Sequence, residues 1–296
     1  MSRDSGGRLR LGESLARHTS WRIGGSADRF YLPSTVADLA AFLRSYAVPP
    51  ITWMGLGSNV LVRDGGIRGT VICLAHGLDS LHQEGLERIV AGAGTGAVKL
   101  AHFAARLGLA GAEFLAGIPG TLGGCLAMNA GANGGETWDF VEWVEILSVT
   151  GELVRLPRSA IDTGYREVTG QGENCFVRAG LRLQPEDPAA VMARLRQWQE
   201  RRATTQPLAW PSCGSVFRNP PGDFAARLIE AAGLKGMRIG DAEISAQHAN
   251  FIINRGEARA WQVEALVREV QETVCRQSGV SLIPEMRVIG EEETDV

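Results

Sequence analysis

Lysine is almost missing from this 296-residue chain: Lys99 and Lys235 stand alone beside 28 arginines. The formal net charge is −3 and no basic run or arm occurs, so nucleic acid has no electrostatic footprint to recognise. The arginine bias reads first as genomic composition and second as a preference for phosphate or carboxylate. Cysteine is sparse and odd in number, at 73, 125, 175, 213 and 275, with no C-x-x-C. That argues against a disulfide framework or a zinc knuckle and fits a reducing compartment. Cys73 and His76 form one C-x-x-H, with no second pair to complete a tetrahedral site. Long apolar runs are absent too. The most apolar stretch, 107–132, is broken by Glu113, Pro119 and many glycines, and the opening "MSRDSGGRLRLGES" has no apolar h-region. The default expectation is a cytoplasmic monomer with no membrane insertion.

What is present is ordinary globular composition, 45% hydrophobic and 21% charged, over a length that suggests more than one core. Residues 28–33 ("DRFYLP") read as a strand, followed by a helix in "STVADLAAFLRSYAV" with Ser34 or Thr35 as N-cap. "ITWM", "VLV" and "TVICL" are strands joined by glycine turns. A second lobe opens with the strand "RIVAGAG" and the helix "AVKLAHFAARLG". Its strands are "VEWVEILSVT", "GELVRLP" and "CFVRAGLRL". Asp187 and Pro188 then cap and start a helix, "DPAAVMARLRQWQERRATTQ". The remainder holds "GDFAARLIEAAG", "HANFIIN", a long amphipathic helix from "EARAWQVEALV" onward and the strand "EMRVI". The expected division is 1–80, 81–205 and 206–296.

Glycine, by contrast, is plentiful at 37 residues and gathers in three loops. "GAGTGA" matches G-x-G-x-x-A at Gly92, Gly94 and Ala97, with Glu113 about 20 residues on as a dinucleotide fingerprint asks. The residues around Glu113 do not form the second parallel strand that this motif needs. "MGLGSN" can form a nest of amides for an anion, with Ser58 and Asn59 as donors, or a plain strand turn. "AGIPGTLGGCLAMNAGANGGE" carries more glycine than a structural connection requires, which suggests close approach of a flat or phosphorylated ligand.

Taken in order, "GLGSNVLVRDGG", "GIPGTLGGCLAMNAGANGGE", "GYRE", "SCGSVFRNP", "AGLKGMRIG", "HANFIIN" and "PEMRVIG" resemble the UDP-N-acetylenolpyruvoylglucosamine reductase family, in its shorter second subclass. The resemblance runs from about residue 19 to 290. It implies an α+β protein: a two-lobed FAD-binding part of the vanillyl-alcohol-oxidase type and a C-terminal α+β substrate-binding domain. It implies non-covalent FAD, NADPH as co-substrate and a UDP-sugar substrate. The flavin pyrophosphate would lie against Gly55, Gly57, Ser58 and Asn59, with Pro119, Gly120, Gly123 and Gly124 on the other side. "GAGTGA" then becomes a strand–helix turn.

The resemblance also assigns chemistry. Hydride delivered to an enolpyruvyl ether leaves negative charge on the adjacent carbon, a base strong enough to take a proton from a hydroxyl. Ser215 is implied as that donor, and a general acid contributes on the order of 10²–10⁴-fold. Arg166 and Glu285 are implied as stabilisers of the charged carboxylate, Glu285 with its pKa raised by burial. Arg218 and Asn219 are candidates for the diphosphate, and Tyr165 and Lys235 for substrate contacts. Arg218 stands where relatives often carry lysine. Asn133 replaces a usual tyrosine, and Leu126-Ala127 is less usual. "CGSVF" superficially resembles a papain-type motif, but Cys213 has no assigned base and reads as a packed residue. Rival readings are another flavin oxidoreductase of the same fold acting on a sugar or alcohol, including a covalently tethered flavin oxidase, and a non-catalytic binding module.

Overall fold

The computed structural model describes residues 6–75 and 77–293. The chain forms two compact units. The first comprises Arg29–Leu56 and Gly69–Arg202 with the chain up to Arg10; the second comprises Leu11–Asp28, Gly57–Arg68 and the chain from Ala203 onward. Six α-helices lie among the described residues: α1 (Val36–Ser45), α2 (Ala97–Arg106), α3 (Leu122–Met128), α4 (Pro188–Thr205), α5 (Ala225–Ala231) and α6 (Ala260–Ser278).

A four-stranded sheet has the order Arg8–Ser14, Ser26–Leu32, Ile67–Cys73, Ile51–Met54, the last two parallel. Thr35 caps α1 by accepting from Asp38 N at 3.0 Å, and Leu39, Phe42 and Leu43 bury one helical face. An antiparallel five-stranded sheet follows, in the order Leu153–Pro157, Val141–Leu147, Cys175–Arg182, Arg88–Gly92, Leu81–Glu84. Both faces of its central strands are buried. Val144, Ile146, Phe176 and Leu181 join Leu100 and Ala104 of α2, while Leu147, Cys175 and Val177 join Leu39 and Phe42 of α1. This explains the near-continuous apolar run of Cys175–Arg182, since a strand covered on both sides need not alternate. Asp187 caps α4, accepting from Ala190 N at 3.3 Å.

The third glycine loop carries no helical signal in its sequence, yet α3 forms inside it. Thr121 Oγ1 accepts from Gly124 N at 3.3 Å, Leu122, Cys125 and Leu126 bury one face, and Asn129 ends the helix in the left-handed region at φ 41°. Gly123 and Gly124 weaken helix propensity by roughly 1 kcal/mol each relative to alanine, which hides the signal. Strand–helix turn is the right description of "GAGTGA": it links Arg88–Gly92 to α2, and a side chain at Gly92 or Gly94 would collide with the Leu78 or Leu74 carbonyl.

The second unit packs α5 and α6 with a three-stranded antiparallel sheet, Arg238–Ile239, Ala242–Ile244 and Ile252–Asn254. Val263, Leu266, Val267, Val270 and Val274 of α6 supply the helical stripe, around a fully buried Trp21. Trp21 Nε1 donates to Ile252 O at 2.7 Å, fixing that indole in the core. Val60–Val62 pairs in parallel with Arg287–Ile289, joining the second glycine loop to the closing strand across more than two hundred residues.

Candidate functional site

In the first unit the structure brings Gly55, the third glycine loop and Arg166 together. A side chain at Gly55 would stand 2.5 Å from Thr121 Oγ1, so the backbone of "MGLG" lies against the cap of α3. The Cys73 thiol donates to Gly55 O at 3.4 Å from the other direction. Tyr165 and Arg166 form the turn between Asp162–Gly164 and Glu167–Thr169. Arg166 has φ 58°, a left-handed conformation that costs a non-glycine residue about 1–3 kcal/mol and is concentrated at functional positions. Its guanidinium donates from Nη1 to Asn129 O at 3.2 Å and from Nη2 to Gly131 O at 2.6 Å, just past α3. The exposed Tyr165 ring lies 4.9 Å from that guanidinium.

Two residues here have local explanations. Asn133 and Gly134 both have positive φ and join Gly131–Ala132 to Gly135–Glu136, which is an Asn-Gly type I′ hairpin turn. Asparagine at 133 therefore has a backbone reason. Glu113, the acid of the apparent fingerprint, is buried; its Oε1 accepts from Arg194 Nε at 3.0 Å and Nη2 at 2.7 Å, and its Oε2 accepts from Gly111 N at 2.6 Å. Arginine holds the carboxylate that a ribose would have needed.

In the second unit Ser215, Glu285 and Asn59 converge. Residues 216–218 run antiparallel to 283–285: Glu285 N donates to Val216 O at 2.7 Å and Arg218 N to Ile283 O at 2.9 Å. Asn59 Nδ2 donates to Glu285 O at 3.1 Å, and Arg287 N donates to Asn59 O at 3.0 Å. Asn59 thus ties the second glycine loop to the glutamate segment. Ser58 lies half-buried beside it, and Gly57 (φ 63°) allows a close approach to His18 O that no Cβ could share. The substrate candidates sit further along. Arg218 is half-buried, Asn219 Oδ1 accepts from Ala225 N at 3.1 Å, and Lys235 Nζ pairs with Glu230 at 3.0 Å.

Cys213 is buried two residues before Ser215. Burial, and then the nearby Glu285 charge, push its thiol well above the ordinary range, so it stays protonated and is no nucleophile. His76, partner of Cys73 in the C-x-x-H pair, lies outside the described residues, as do residues 1–5 of the opening segment. Sequence reading missed Asn250. This buried residue accepts from Val216 N through its carbonyl and hydrogen-bonds both polar groups of Phe217 through its side chain. The only available signal was a pair of asparagines, Asn250 and Asn254, flanking the apolar "FII" of "HANFIIN".

The glycines of the third loop test whether the first unit can accept FAD. Gly123, Gly131 and Gly135 are pressed against Ala93, the Gly135 carbonyl and the Phe114 ring. Gly117 and Gly124 are different. At Gly117 a Cβ would meet nothing within 4 Å, at Gly124 only Thr121 Oγ1 at 3.7 Å, and neither has positive φ. The protein itself does not require glycine there, so bare backbone facing open space fits a planar ligand. The amides of Leu122, Gly123 and Gly124 already donate to Thr95 O, Ala93 O and Thr121 Oγ1, so the loop offers surface more than N–H groups.

Comparison with known proteins accords with this arrangement. Residues 27–157 match the family described as FAD binding domain, and residues 206–289 match UDP-N-acetylenolpyruvoylglucosamine reductase, C-terminal domain. A UDP-N-acetylenolpyruvoylglucosamine reductase of Alkalilimnicola ehrlichii is 54% identical over 97% of both chains. One from Methylococcus capsulatus is 51% identical over 94% of this chain and 92% of its own. The crystal structure of the Thermus caldophilus reductase superposes with TM-score 0.82 at 35% identity, covering 95% of this chain and 98% of that one. 6-Hydroxy-D-nicotine oxidase from Arthrobacter nicotinovorans shares the fold alone, at TM-score 0.54 and 14% identity over 94% of this chain and 88% of its own. The α+β fold is therefore that of the vanillyl-alcohol-oxidase type with an added C-terminal domain, and the chain belongs to the UDP-N-acetylenolpyruvoylglucosamine reductase family.

Proposed function

We propose that this chain reduces UDP-N-acetylglucosamine enolpyruvate to UDP-N-acetylmuramate, acting as a cytoplasmic monomer with NADPH as co-substrate. FAD held by the glycine loops and reduced by NADPH would supply the hydride for the terminal carbon of the enolpyruvyl double bond. The π pair of that bond moves onto the neighbouring carbon and its carboxylate. Ser215 Oγ gives its proton to that carbon and recovers one from solvent. Arg166, whose planar fork suits a carboxylate, and Glu285 offset the accumulating charge. Gly55, Gly57, Ser58, Asn59, Pro119, Gly120, Gly123 and Gly124 hold the cofactor, while Tyr165, Arg218, Asn219 and Lys235 serve the UDP-sugar.

The observation that supports this reading most strongly is the 2.7 Å hydrogen bond from Glu285 N to Val216 O, which ties the glutamate to the residue after Ser215. The near full-length relatives that carry the reductase name support the substrate class. Ser215→Ala is the test, with the two half-reactions followed separately by stopped-flow absorbance of the flavin. Reduction by NADPH should persist, and reoxidation by the enolpyruvyl sugar should fall on the order of 10²–10⁴-fold. Reoxidation at the wild-type rate removes Ser215 from the role.

A further inference from the structure

Asn250 makes contacts out of proportion to its place in a connecting turn. Its carbonyl accepts from Val216 N at 2.9 Å, its Oδ1 accepts from Phe217 N at 2.9 Å, and its Nδ2 donates to Phe217 O at 2.8 Å. The residue is 3% exposed, and its own N–H donates to His248 Nδ1 at 3.3 Å. On the opposite edge, Val216 O accepts from Glu285 N and Arg218 N donates to Ile283 O. Residues 216–218 are therefore held like the middle strand of a sheet, with one asparagine in place of the missing neighbour. A side-chain amide offers, at any pH, a donor and an acceptor side by side to the N–H and C=O of a single residue. The residue before this clamp is Ser215, and the residue hydrogen-bonded through it is Glu285.

We propose that Asn250 is the positioning residue that holds Ser215 and Glu285 in register, so that the Ser215 hydroxyl is aimed at the carbon it protonates. This rests on the reduction proposed above. Catalytic groups misplaced by about 1 Å lose on the order of 10²-fold in rate, and releasing Phe217 from the side-chain amide leaves that edge of the segment held by the Val216 N bond to the Asn250 carbonyl alone.

The test is Asn250→Asp. The ionised carboxylate keeps an acceptor for Phe217 N but turns a second negative oxygen on Phe217 O. When protonated, it regains a donor and reproduces the amide's pattern. Burial beside a carbonyl raises the carboxyl's pKa, which brings the exchange into an accessible range. His248, with Lys235 and Glu230 near it, and Glu285 are common to both proteins, so the quantity read is the ratio of variant to wild type. Expected at pH 8 is reoxidation by the UDP-enolpyruvyl sugar slowed about 10²-fold, with reduction by NADPH within about twofold. The ratio should recover at least about tenfold at pH 6 as the carboxyl protonates. Asn250→Leu, of similar size with neither group, should be slow at every pH. If it fails to fold, Asn250→Gln, with both groups one methylene further out, should show slowed reoxidation and intact reduction. Circular dichroism melts fix temperatures at which each variant is folded. A ratio near one from pH 6 to 9, no recovery at pH 6, or equal slowing of both half-reactions overturns the proposal. Failure of the underlying function shows separately, as wild-type flavin that NADPH bleaches and the sugar nucleotide never reoxidises, and the proposal falls with it.

Discussion

Gly124→Ala separates a glycine required by the protein from one required by what the protein holds. Gly124 lies in the first turn of α3, and a Cβ built there finds only Thr121 Oγ1 at 3.7 Å, ordinary van der Waals contact. Without FAD, alanine should therefore stabilise the fold, because glycine inside a helix costs about 0.5–1 kcal/mol relative to alanine. At about 2–4 °C per kcal/mol for a chain of this size, the melting temperature of FAD-free protein should rise by about 1–4 °C. If the ring or pyrophosphate lies flush on that face, the same methyl group intrudes on it. Overpacking of about 1–3 kcal/mol raises the FAD dissociation constant by about 5- to 150-fold. Gly123→Ala is the contrasting neighbour: its Cβ would stand 2.9 Å from Ala93 Cβ and 3.1 Å from Ala93 O, so it should lower the melting temperature with or without FAD. The assay is a circular dichroism melt of FAD-stripped protein, followed by titration with FAD monitored by quenching of its fluorescence. A lower melting temperature for FAD-free Gly124→Ala refutes the reading of open space. A higher melting temperature with FAD affinity unchanged within about twofold refutes the cofactor as the reason for that glycine.

Local features were legible in the sequence because their causes are local. Thr35 before an apolar-periodic run and Asp187 before Pro188 are capping signals that act within four residues, and both caps form. The 141–147 and 175–182 strands are apolar enough to be read whichever face they bury. By contrast, α3 was obscured because its stabilisation comes from Leu122, Cys125 and Leu126 docking into a core, which outweighs two glycines. Strand Arg8–Ser14 is exposed along most of its length, so the Arg-Leu-Arg-Leu alternation at its start marks no buried face. The site was legible as a set of motifs, but its internal wiring was not. Asn250 and Phe217 are 33 residues apart, and Asn59 and Glu285 are 226 apart, so only the fold reveals which polar groups meet. The same distance effect made Glu113 look like a ligand-binding acid until Arg194 closed on it from α4.

Three further outcomes follow from buried ionisable groups. Iodoacetamide at pH 8 should label Cys275, which is exposed, and spare Cys73, Cys125, Cys175 and Cys213 while the protein is folded; a second labelled thiol contradicts their burial. Burial pushes Cys73 up to about 11 and Cys125 up to about 12, so these thiols favour the fold below their unfolded value of about 8.5 and cease to do so as pH rises through the folded values. The melting temperature should accordingly fall between about pH 9 and 11, and a flat profile there refutes the shift. Glu113→Gln addresses the apparent dinucleotide fingerprint directly. Glutamine keeps an oxygen for Arg194 but removes the charge from the pair and points N–H groups where Gly111 N now donates at 2.6 Å. Loss of a charge-assisted bond and a donor facing a donor should cost about 1–3 kcal/mol, read as a lower melting temperature. FAD affinity should stay within about twofold, because the carboxylate serves α4 and the Gly111 turn. If affinity instead drops tenfold while the fold melts as before, Glu113 is a ligand acceptor after all, and "GAGTGA" must be reconsidered as the dinucleotide turn it imitates.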